Sequence, residues 1–177
     1  MRLIDLFEVA PEDDEVFVAD WERGRLEASV LYRALRADVD FRFASVARLG
    51  AAELASRLRV YEVVHQEGAP DGTEGVTLIN PFDVPEGDDD RFLAGWERAR
   101  AALADQRGYL GTRLHRSAGA ADFRFVDLAR WSSPLMFSRA TQRPEFRAAG
   151  AGIPYPAHPA LYTVVRHAPV AVPRSAR

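Results

Sequence analysis

The chain contains an internal repeat, and no other feature of the sequence constrains its fold as strongly. Three matches define the repeat: L-I-D at 3–5 with L-I-N at 78–80, D-F-R-F at 40–43 with D-F-R-F at 122–125, and Y-x-V-V at 61–64 with Y-x-V-V at 162–165. The separation is constant within each match and increases from one match to the next. Insertions in loops have that effect. We therefore predict a duplicated domain.

Each copy has the pattern strand, helix, strand, strand, helix, strand, which is typical of a ferredoxin-like unit. In the second copy the predicted strands are Val76–Val84, Tyr109–Arg116, Asp122–Trp131 and Leu161–Arg166, and the predicted helices begin at Asp88 and Ser133. One such unit leaves a sheet face uncovered. We therefore predict an α+β fold of two fused ferredoxin-like repeats, packed sheet to sheet as a pseudo-dimeric α/β barrel.

The two copies differ in completeness. We interpret residues 1–66 as a degenerate N-terminal repeat, residues 67–75 as a linker, and residues 76–177 as the C-terminal repeat that carries the site. The second copy has a longer passage between its third and last strands, and this passage includes the segment Arg143–Pro159, which is rich in Pro and Gly. A long segment of this kind in a compact domain is often a lid over a site.

Composition excludes several classes of protein. The chain has 177 residues, 47% of them hydrophobic, which is enough for a substantial core. The net charge of −3 argues against a nucleic-acid binder or a membrane-surface protein. Because there is no Cys, disulfides, thiolate metal sites and cysteine nucleophiles are excluded. Acidic residues interrupt the N-terminus, and no apolar run approaches the roughly 20 residues of a membrane helix. We expect a cytoplasmic protein.

The two copies of one strand differ at the positions that matter chemically. Read as a strand, Asp122–Ser133 directs five side chains to one face: Phe123, Phe125, Asp127, Ala129 and Trp131. A carboxylate among aromatic residues is unusual, because its burial is costly unless it is paired or protonated. The first copy has Ser45 in place of Asp127 and Leu49 in place of Trp131. The scaffold is repeated, whereas the chemically interesting residues are not.

Several motifs of the second copy resemble those of the antibiotic-biosynthesis monooxygenase family. They are the opening strand with Asn80, F-L-x-x-W-E-R at 92–98, G-Y-L-x-T-R-L-H-R at 108–116, A-R-W-S-S at 129–133 and H-P-A-L-Y at 158–162. The resemblance covers the second copy throughout and the first copy as a degenerate relative. It implies the dimeric α/β-barrel fold and an oxygenase of aromatic polyketides, which in some members uses neither a metal nor a bound cofactor.

The family pattern pairs an Asn on the first strand with Asn-x-x-x-Trp on the third strand. Asn80 and Trp131 match this pattern, and Asp127 stands where the second Asn would be. Fused two-copy members that resemble this chain are associated with oxidative remodelling or ring opening of angucycline-type polyketides, and some are thought to use reduced flavin. The same fold also hosts cyclases, heme-degrading enzymes and proteins without known chemistry.

The resemblance and the residues together suggest a catalytic trio. Asp127 is interpreted either as a general base or as the partner of an Arg in a salt bridge. Asn80 is either an oxyanion donor or a link between a strand and a loop. Trp131 is either a ring that stacks on the substrate or, as large aromatic residues usually are, a core residue, and its absence from the first copy favours the site. The predicted substrate-binding residues are His115, Tyr109, Phe82, Phe125, Met136, Phe137, Tyr155 and His158.

Two further interpretations rest on the comparison of copies and on spacing. His115 is replaced by Tyr32 in the first copy, which favours it as a site residue, although a hydrogen-bonding His on the surface is the alternative. Trp96 is retained as Trp21 and is therefore interpreted as structural. The four His residues lack the H-x-H and H-E-x-x-H spacings, so we expect no metal site.

We therefore predict an oxygenase of a polycyclic aromatic polyketide of the phenol, hydroquinone or anthrone type. It would form a quinone or open a ring, with dioxygen as co-substrate and without a metal or a tightly bound cofactor. Reduced flavin (FADH2 or FMNH2), supplied by a flavin reductase, is the alternative to cofactor independence. A polyketide cyclase of the same barrel fold and a non-catalytic ligand-binding or assembly protein remain as competing functions. We expect no nucleic-acid or membrane partner, and pairing of the pseudo-dimer into a homodimer stays open.

Overall fold

A computed structural model of the chain describes residues 1–50 and 59–168. Within these residues the strands are β1 (Arg2–Phe7), β2 (Ser29–Ala34), β3 (Phe43–Arg48), β4 (Val60–Gly68), β5 (Val76–Phe82), β6 (Tyr109–Ser117), β7 (Phe125–Trp131) and β8 (Ala160–His167). The helices are α1 (Asp14–Gly24), α2 (Asp89–Ala104), α3 (Pro134–Thr141) and α4 (Pro144–Gly150), and a 3-10 turn at Pro11–Asp13 precedes α1.

The strands form one closed antiparallel barrel in the order β1-β3-β2-β8-β5-β7-β6-β4. Strand β4 pairs with β6, and β8 pairs with β2, so the last strand of each half completes the sheet of the other half. Contact between β1 and β4 closes the ring. The predicted α+β class and barrel are confirmed, whereas the origin of the barrel in two fused repeats stays a prediction.

The barrel interior is a packed apolar core. Residues alternate between the two faces of each strand, and the inward set includes Ile4, Val46, Ile79, Val126 and Leu128. Each fully buried aliphatic side chain of this kind contributes roughly 1.5–3 kcal/mol. Two of the three tyrosines in this core cluster satisfy their hydroxyls within it, because Tyr61 donates to the carbonyl of Phe123 at 3.1 Å and Tyr162 donates to that of Phe41 at 2.7 Å.

The outer face of β5, β6 and β7 is covered by α2. The ring of Phe92 lies 4.9 Å from that of Phe82 and stacks on that of Phe125 at 4.3 Å. Trp96 and Leu114 extend the same apolar cluster. Because the barrel interior is packed, one space that can hold a ligand lies between this sheet face and the helices outside the barrel. In the described part of the chain, no helix is long and apolar enough to cross a bilayer.

Most predicted element boundaries agree with the structure within a few residues. Ser133 caps α3 as expected, since its Oγ accepts a hydrogen bond from the backbone N–H of Met136 at 3.3 Å. Strand β4 continues to Gly68 and so enters the predicted linker, because pairing with β6 extends it. The segment Arg143–Pro159 contains helix α4. The second helix expected in the first copy falls on residues 51–58, outside the described residues.

A β-bulge in β6 changes which side chains share a face. The pairing with β7 shifts between Tyr109 and Gly111, so that Tyr109 lies on the same outer face as Thr112. Strict alternation would instead have put Tyr109 on one face with Arg113 and His115. Gly111 makes the bulge possible with φ of 144°.

We predict that Gly111→Ala destabilises the fold by about 1–3 kcal/mol. An added Cβ would lie 2.5 Å from the carbonyl oxygen of Glu67 and 2.6 Å from the backbone nitrogen of Ala69, in a backbone conformation that favours glycine. Urea unfolding measures the change.

Gly119→Ala is the matched control, because its Cβ meets nothing within 4 Å, and we expect it to change stability by less than about 0.5 kcal/mol. Equal stability of the two variants would refute the role of the bulge.

Candidate active site

A cavity of about 210 Å³ lies between the outer face of β5–β7 and helix α2, and the segment around α4 covers it. Its polar lining consists of one residue of α2, Arg100, and four residues of the strands: Asn80, Tyr109, Thr112 and Asp127. Its other walls are mostly apolar or aromatic, and they include Leu78, Phe82, Trp96, Leu103, Phe146 and Ile153. A cavity with these walls suits a flat, largely apolar molecule that carries a few polar groups.

Asp127 is a buried carboxyl group without a cationic partner among the described residues. The hydroxyl of Thr112 donates a hydrogen bond to its Oδ1 at 2.6 Å, and Trp96 acts as a second donor. Burial raises the pKa of Asp127 to about 6, although the two hydrogen bonds oppose the shift. The salt bridge considered as an alternative therefore has no support in the described structure. The carboxyl group is suited to gain or lose a proton near neutral pH.

Asn80 lies directly opposite Asp127 in the pairing of β5 with β7. Its Oδ1 is buried and makes no hydrogen bond with a described residue. Such an unsatisfied group costs roughly 1–3 kcal/mol, and sites that bind ligands commonly retain such groups. Asn80 and Asp127 thus place an amide and a titratable carboxyl group side by side on the wall of an apolar cavity.

A second polar network borders the cavity and includes a residue from the first half of the chain. The hydroxyl of Tyr109 donates to Glu67 at 2.7 Å, and Arg100 contacts the other carboxylate oxygen at 2.5 Å. Arg100 also donates from Nε to Glu97 at 2.9 Å. Burial and the Glu67 carboxylate raise the pKa of Tyr109, so its hydroxyl stays protonated. Because both acids bind Arg100, this cation does not pair with Asp127.

Five of the predicted site residues line the cavity: Asn80, Asp127, Phe82, Tyr109 and Tyr155. Trp131 does not line it. Its fully buried indole packs behind the wall, 5.3 Å from the ring of Tyr109 and 5.6 Å from that of Phe137, in a cluster that also contains Met136. The predictions of substrate contact by Trp131, Met136 and Phe137 do not agree with this arrangement, because α3, which carries Met136 and Phe137, turns back over the end of β7 and packs against Trp131.

Three other predicted binding residues lie elsewhere. Phe125 is fully buried against the ring of Phe92. His115 faces the barrel interior, where its Nδ1 lies 3.1 Å from the carbonyl of Val126 and burial lowers its pKa to about 3. His158 lies outside the cavity near Asp40, which raises its pKa. The bulge in β6 explains why His115 lies apart from the cavity, since it separates that residue from the face of Tyr109.

Trp96, interpreted from the sequence as structural, lines the cavity and donates to Asp127. The sequence contained a signal for this contact. In the first half, Trp21 donates from Nε1 to Ser45 at 3.0 Å, and these two residues occupy the positions that correspond to Trp96 and Asp127. The Trp that both copies retain therefore donates a hydrogen bond to the facing strand in addition to packing against it. Thr112, by contrast, was missed because no feature of the sequence distinguished it.

The comparisons with known proteins agree with this architecture. Residues 75–152 match the family model described as antibiotic biosynthesis monooxygenase. The fold is similar to that of an anthrone oxidase-like protein, with 17% identity, a TM-score of 0.67 and coverage of 97% of this chain and 96% of that chain. It is also similar to a monooxygenase-like protein from Listeria innocua, with 13% identity, a TM-score of 0.62 and coverage of 92% of each chain.

SnoaB, a cofactor-independent oxygenase from Streptomyces nogalater, is 27% identical over 53% of this chain and 96% of its own, with a TM-score of 0.48. A search of curated proteins finds no match. Within residues 1–50 and 59–168, no group of three or more His, Asp or Glu side chains is arranged to hold a metal ion.

We predict that Asp127→Asn stabilises the protein above pH 6. The folded pKa of about 6 exceeds the unfolded value of 3.8, so the buried carboxylate costs stability. This cost is absent below pH 3.8, grows between the two values and reaches about 3 kcal/mol above pH 6. Urea unfolding from pH 4 to pH 8 should show the free energy of unfolding of the variant increasing by this amount relative to that of the wild type. Asp105→Asn, at an exposed position, is the control. A difference between Asp127→Asn and wild type that is independent of pH would contradict the burial of a charged form.

Proposed function

We propose that residues 75–152, an antibiotic biosynthesis monooxygenase domain, belong to an oxygenase of polycyclic aromatic phenols, hydroquinones or anthrones of polyketide type. One observation carries the proposal. A buried carboxyl group with a pKa of about 6 has no cationic partner in the described structure and faces a mostly apolar cavity beside the amide of Asn80, whose Oδ1 makes no hydrogen bond with a described residue. This combination supplies a base, a hydrogen-bonding group and a dry binding space.

In the first step Asp127 removes the phenolic or benzylic proton of the substrate. A base with a pKa near 6 is mostly ionised at neutral pH and still accepts a proton from an activated aromatic compound. The amide of Asn80, across the strand pair, donates a hydrogen bond to the oxyanion that forms. A donor of this kind contributes about 3–4 kcal/mol in a site that excludes water. Thr112 and Trp96 hold the carboxyl group in position.

In the second step the substrate anion reduces dioxygen. It transfers one electron, and the resulting carbon radical and superoxide combine to form a C–O bond. When the carbon carries a second hydrogen, this hydrogen leaves as a proton while the O–O bond breaks, which gives a carbonyl group and water. One oxygen atom is incorporated, the other is reduced to water, and the substrate supplies all the electrons. An anthrone-type oxidation therefore needs no further reductant.

Oxidative opening of a quinone ring has a different electron balance. Incorporation of one oxygen atom into a substrate that is already oxidised requires two electrons from another source. Reduced flavin, either FADH2 or FMNH2, would supply them as a diffusible co-substrate from a flavin reductase. The dependence of turnover on reduced flavin therefore separates the two reactions that we propose.

The cavity also limits the substrate. Its volume of about 210 Å³ is smaller than the roughly 300–1,000 Å³ of typical small-molecule sites. A molecule with three or four fused rings therefore enters only if the covering segment moves outward. This segment consists of α4 and the residues after it, and it contributes Phe146, Ile153 and Tyr155 to the cavity wall. We propose that it serves as the lid.

We also propose that the barrel arose from two fused repeats, residues 1–66 and 76–177, joined by residues 67–75. Supporting this, Asp5 lies opposite Ser45 in the first half, as Asn80 lies opposite Asp127 in the second half. The ring of Phe17 in α1 likewise packs against the outer sheet face of its own half, as that of Phe92 in α2 does. The first half would retain the scaffold with Ser45 at the position that corresponds to Asp127.

We predict that Asp127→Asn lowers oxygen uptake with 1,8-dihydroxyanthrone by about 10²–10⁴-fold, because it removes the base. In the wild type, activity should rise with pH through about 6, as Asp127 loses its proton. Trp131→Phe is the matched control, since its ring lies outside the cavity, and it should retain activity within a few fold. An oxygen electrode, with and without reduced flavin, makes the measurement.

Other outcomes of the same assay favour the competing functions. Product formation without oxygen consumption would indicate a cyclase. Tight binding of the anthrone without any product would indicate a ligand-binding protein. Full activity of Asp127→Asn would show that the base has been assigned to the wrong residue.

We predict that Asn80→Ala lowers kcat by about 10²–10³-fold, because one donor to the oxyanion is lost. The pH dependence of activity should remain that of the wild type, since Asp127 is still present as the base. Steady-state oxygen uptake between pH 5 and pH 8 tests both expectations. A shift of the pH profile instead of a lower kcat would mean that Asn80 acts by tuning Asp127.

A further inference from the structure

One end of the barrel carries a second cavity, of about 340 Å³, that shares no lining residue with the candidate active site. Strands β1, β2 and β3, the end of β8 with His167, and the segment that joins the two halves form its wall. We call this region the cationic mouth and define it by Arg2, Tyr32, Arg48 and Asp71. Its local charge is positive, although the chain as a whole has a net charge of −3.

Two arginines of the cationic mouth face each other, and neither forms an ion pair with a described residue. Arg2 and Arg48 are directly opposite in the pairing of β1 with β3, and both line the cavity. Like charges at such cross-strand positions, with Cβ atoms about 5 Å apart, destabilise a sheet. Neither side chain forms an ion pair or a hydrogen bond with a described residue. Burial and the charges of neighbouring arginines lower the pKa of Arg2.

The nearest carboxylate does not neutralise this pair. Both oxygens of Asp71 accept hydrogen bonds from Arg113, at 2.8 Å each. A fourth arginine, Arg130, donates to the backbone carbonyls of Asp71 at 2.5 Å and of Ala69 at 2.7 Å, and it fixes the joining segment beside the mouth. Among the described residues, four guanidinium groups thus lie near one carboxylate, that of Asp71. Both oxygens of this carboxylate are already bound by Arg113.

We propose that the cationic mouth binds a phosphate group, either as free phosphate or as a phosphate monoester. Paired guanidinium groups match the oxygens of phosphate in geometry and charge. The hydroxyl of Tyr32 also lines the cavity, hydrogen-bonds to no other described residue and stays protonated, since burial raises its pKa to about 12. It is available as a third donor.

The size of the cavity leaves room for more than the inorganic ion. A volume of about 340 Å³ corresponds to roughly ten water molecules at their share of liquid volume. A monoester with a small organic group therefore fits as well as free phosphate does. This inference does not depend on the proposed oxygenase activity, because the two cavities have no residue in common.

The proposal predicts that Arg48→Gln changes stability relative to the wild type in opposite directions without and with phosphate. Without phosphate, Arg48→Gln removes the repulsion from Arg2, so its thermal midpoint should equal or exceed that of the wild type. With phosphate, the variant should lose the stabilisation, because binding to the folded state alone raises stability by RT ln(1 + [L]/Kd). A residue with a merely structural role would lower the midpoint under both conditions.

The experiment combines thermal unfolding with titration calorimetry. Sodium phosphate and phenyl phosphate are titrated at an ionic strength held constant with sodium chloride. The wild type should show saturable binding and a rise in midpoint, and Arg48→Gln should bind at least tenfold more weakly. Arg2→Gln provides an independent variant if Arg48→Gln does not fold. Arg36→Gln is the matched control, because its exposed side chain pairs with Asp38 outside the mouth, and it should bind phosphate like the wild type.

The two ligands distinguish the two sources of phosphate. Tighter binding of phenyl phosphate would support the site and identify a monoester as its ligand. Equal binding of both would support the site as one for free phosphate. No saturable binding by the wild type, equal binding by Arg48→Gln, or the same rise in midpoint with sodium chloride alone would overturn the proposal.

Discussion

Each half of this chain supplies its last strand to the sheet of the other half, and the closed barrel depends on that exchange. Strand β4 pairs along β6, and β8 pairs along β2. Without these pairings each half would expose unpaired backbone groups at a sheet edge. The exchange also brings Glu67 on β4 to the cavity of the second half, where it binds Tyr109 and Arg100. Neither half could form this cavity wall alone.

The barrel divides the side chains of its strands between two chemically different regions. On the outer face of β7, Asp127 meets Thr112, Trp96 and an apolar cavity, and burial without a cation gives it a pKa near neutrality. On the inner face, one position further along the strand, Leu128 packs in the core. Because the sheet is held on both sides, the positions of Asp127 and Asn80 are fixed before any ligand binds. Such preorganisation suits a site that stabilises developing charge.

The arginines also explain why the carboxyl group at 127 stays unpaired in the described structure. Arg100 is held by two acids, and Arg113 and Arg130 point inward to the joining segment. Two arginines without an ion pair to a described residue, Arg2 and Arg48, therefore lie at one end of the barrel, whereas Arg100, the arginine that lines the outer cavity, is bound by Glu67 and Glu97. The two cavities are thus suited to ligands of different chemistry.

The sequence by itself determined the α+β class, the pattern of strands and helices, and the shared face of Asp127 and its neighbours, because these follow from local periodicity. It could not determine that β6 contains a bulge, which turns His115 into the barrel interior and leaves Tyr109 on the outer face. Only the tertiary structure decided that α3 buries Trp131 behind the cavity and that Trp96 reaches Asp127. The physical reason is that alternation fixes which residues point the same way. What they meet there depends on strand pairing and helix packing between residues far apart in the chain.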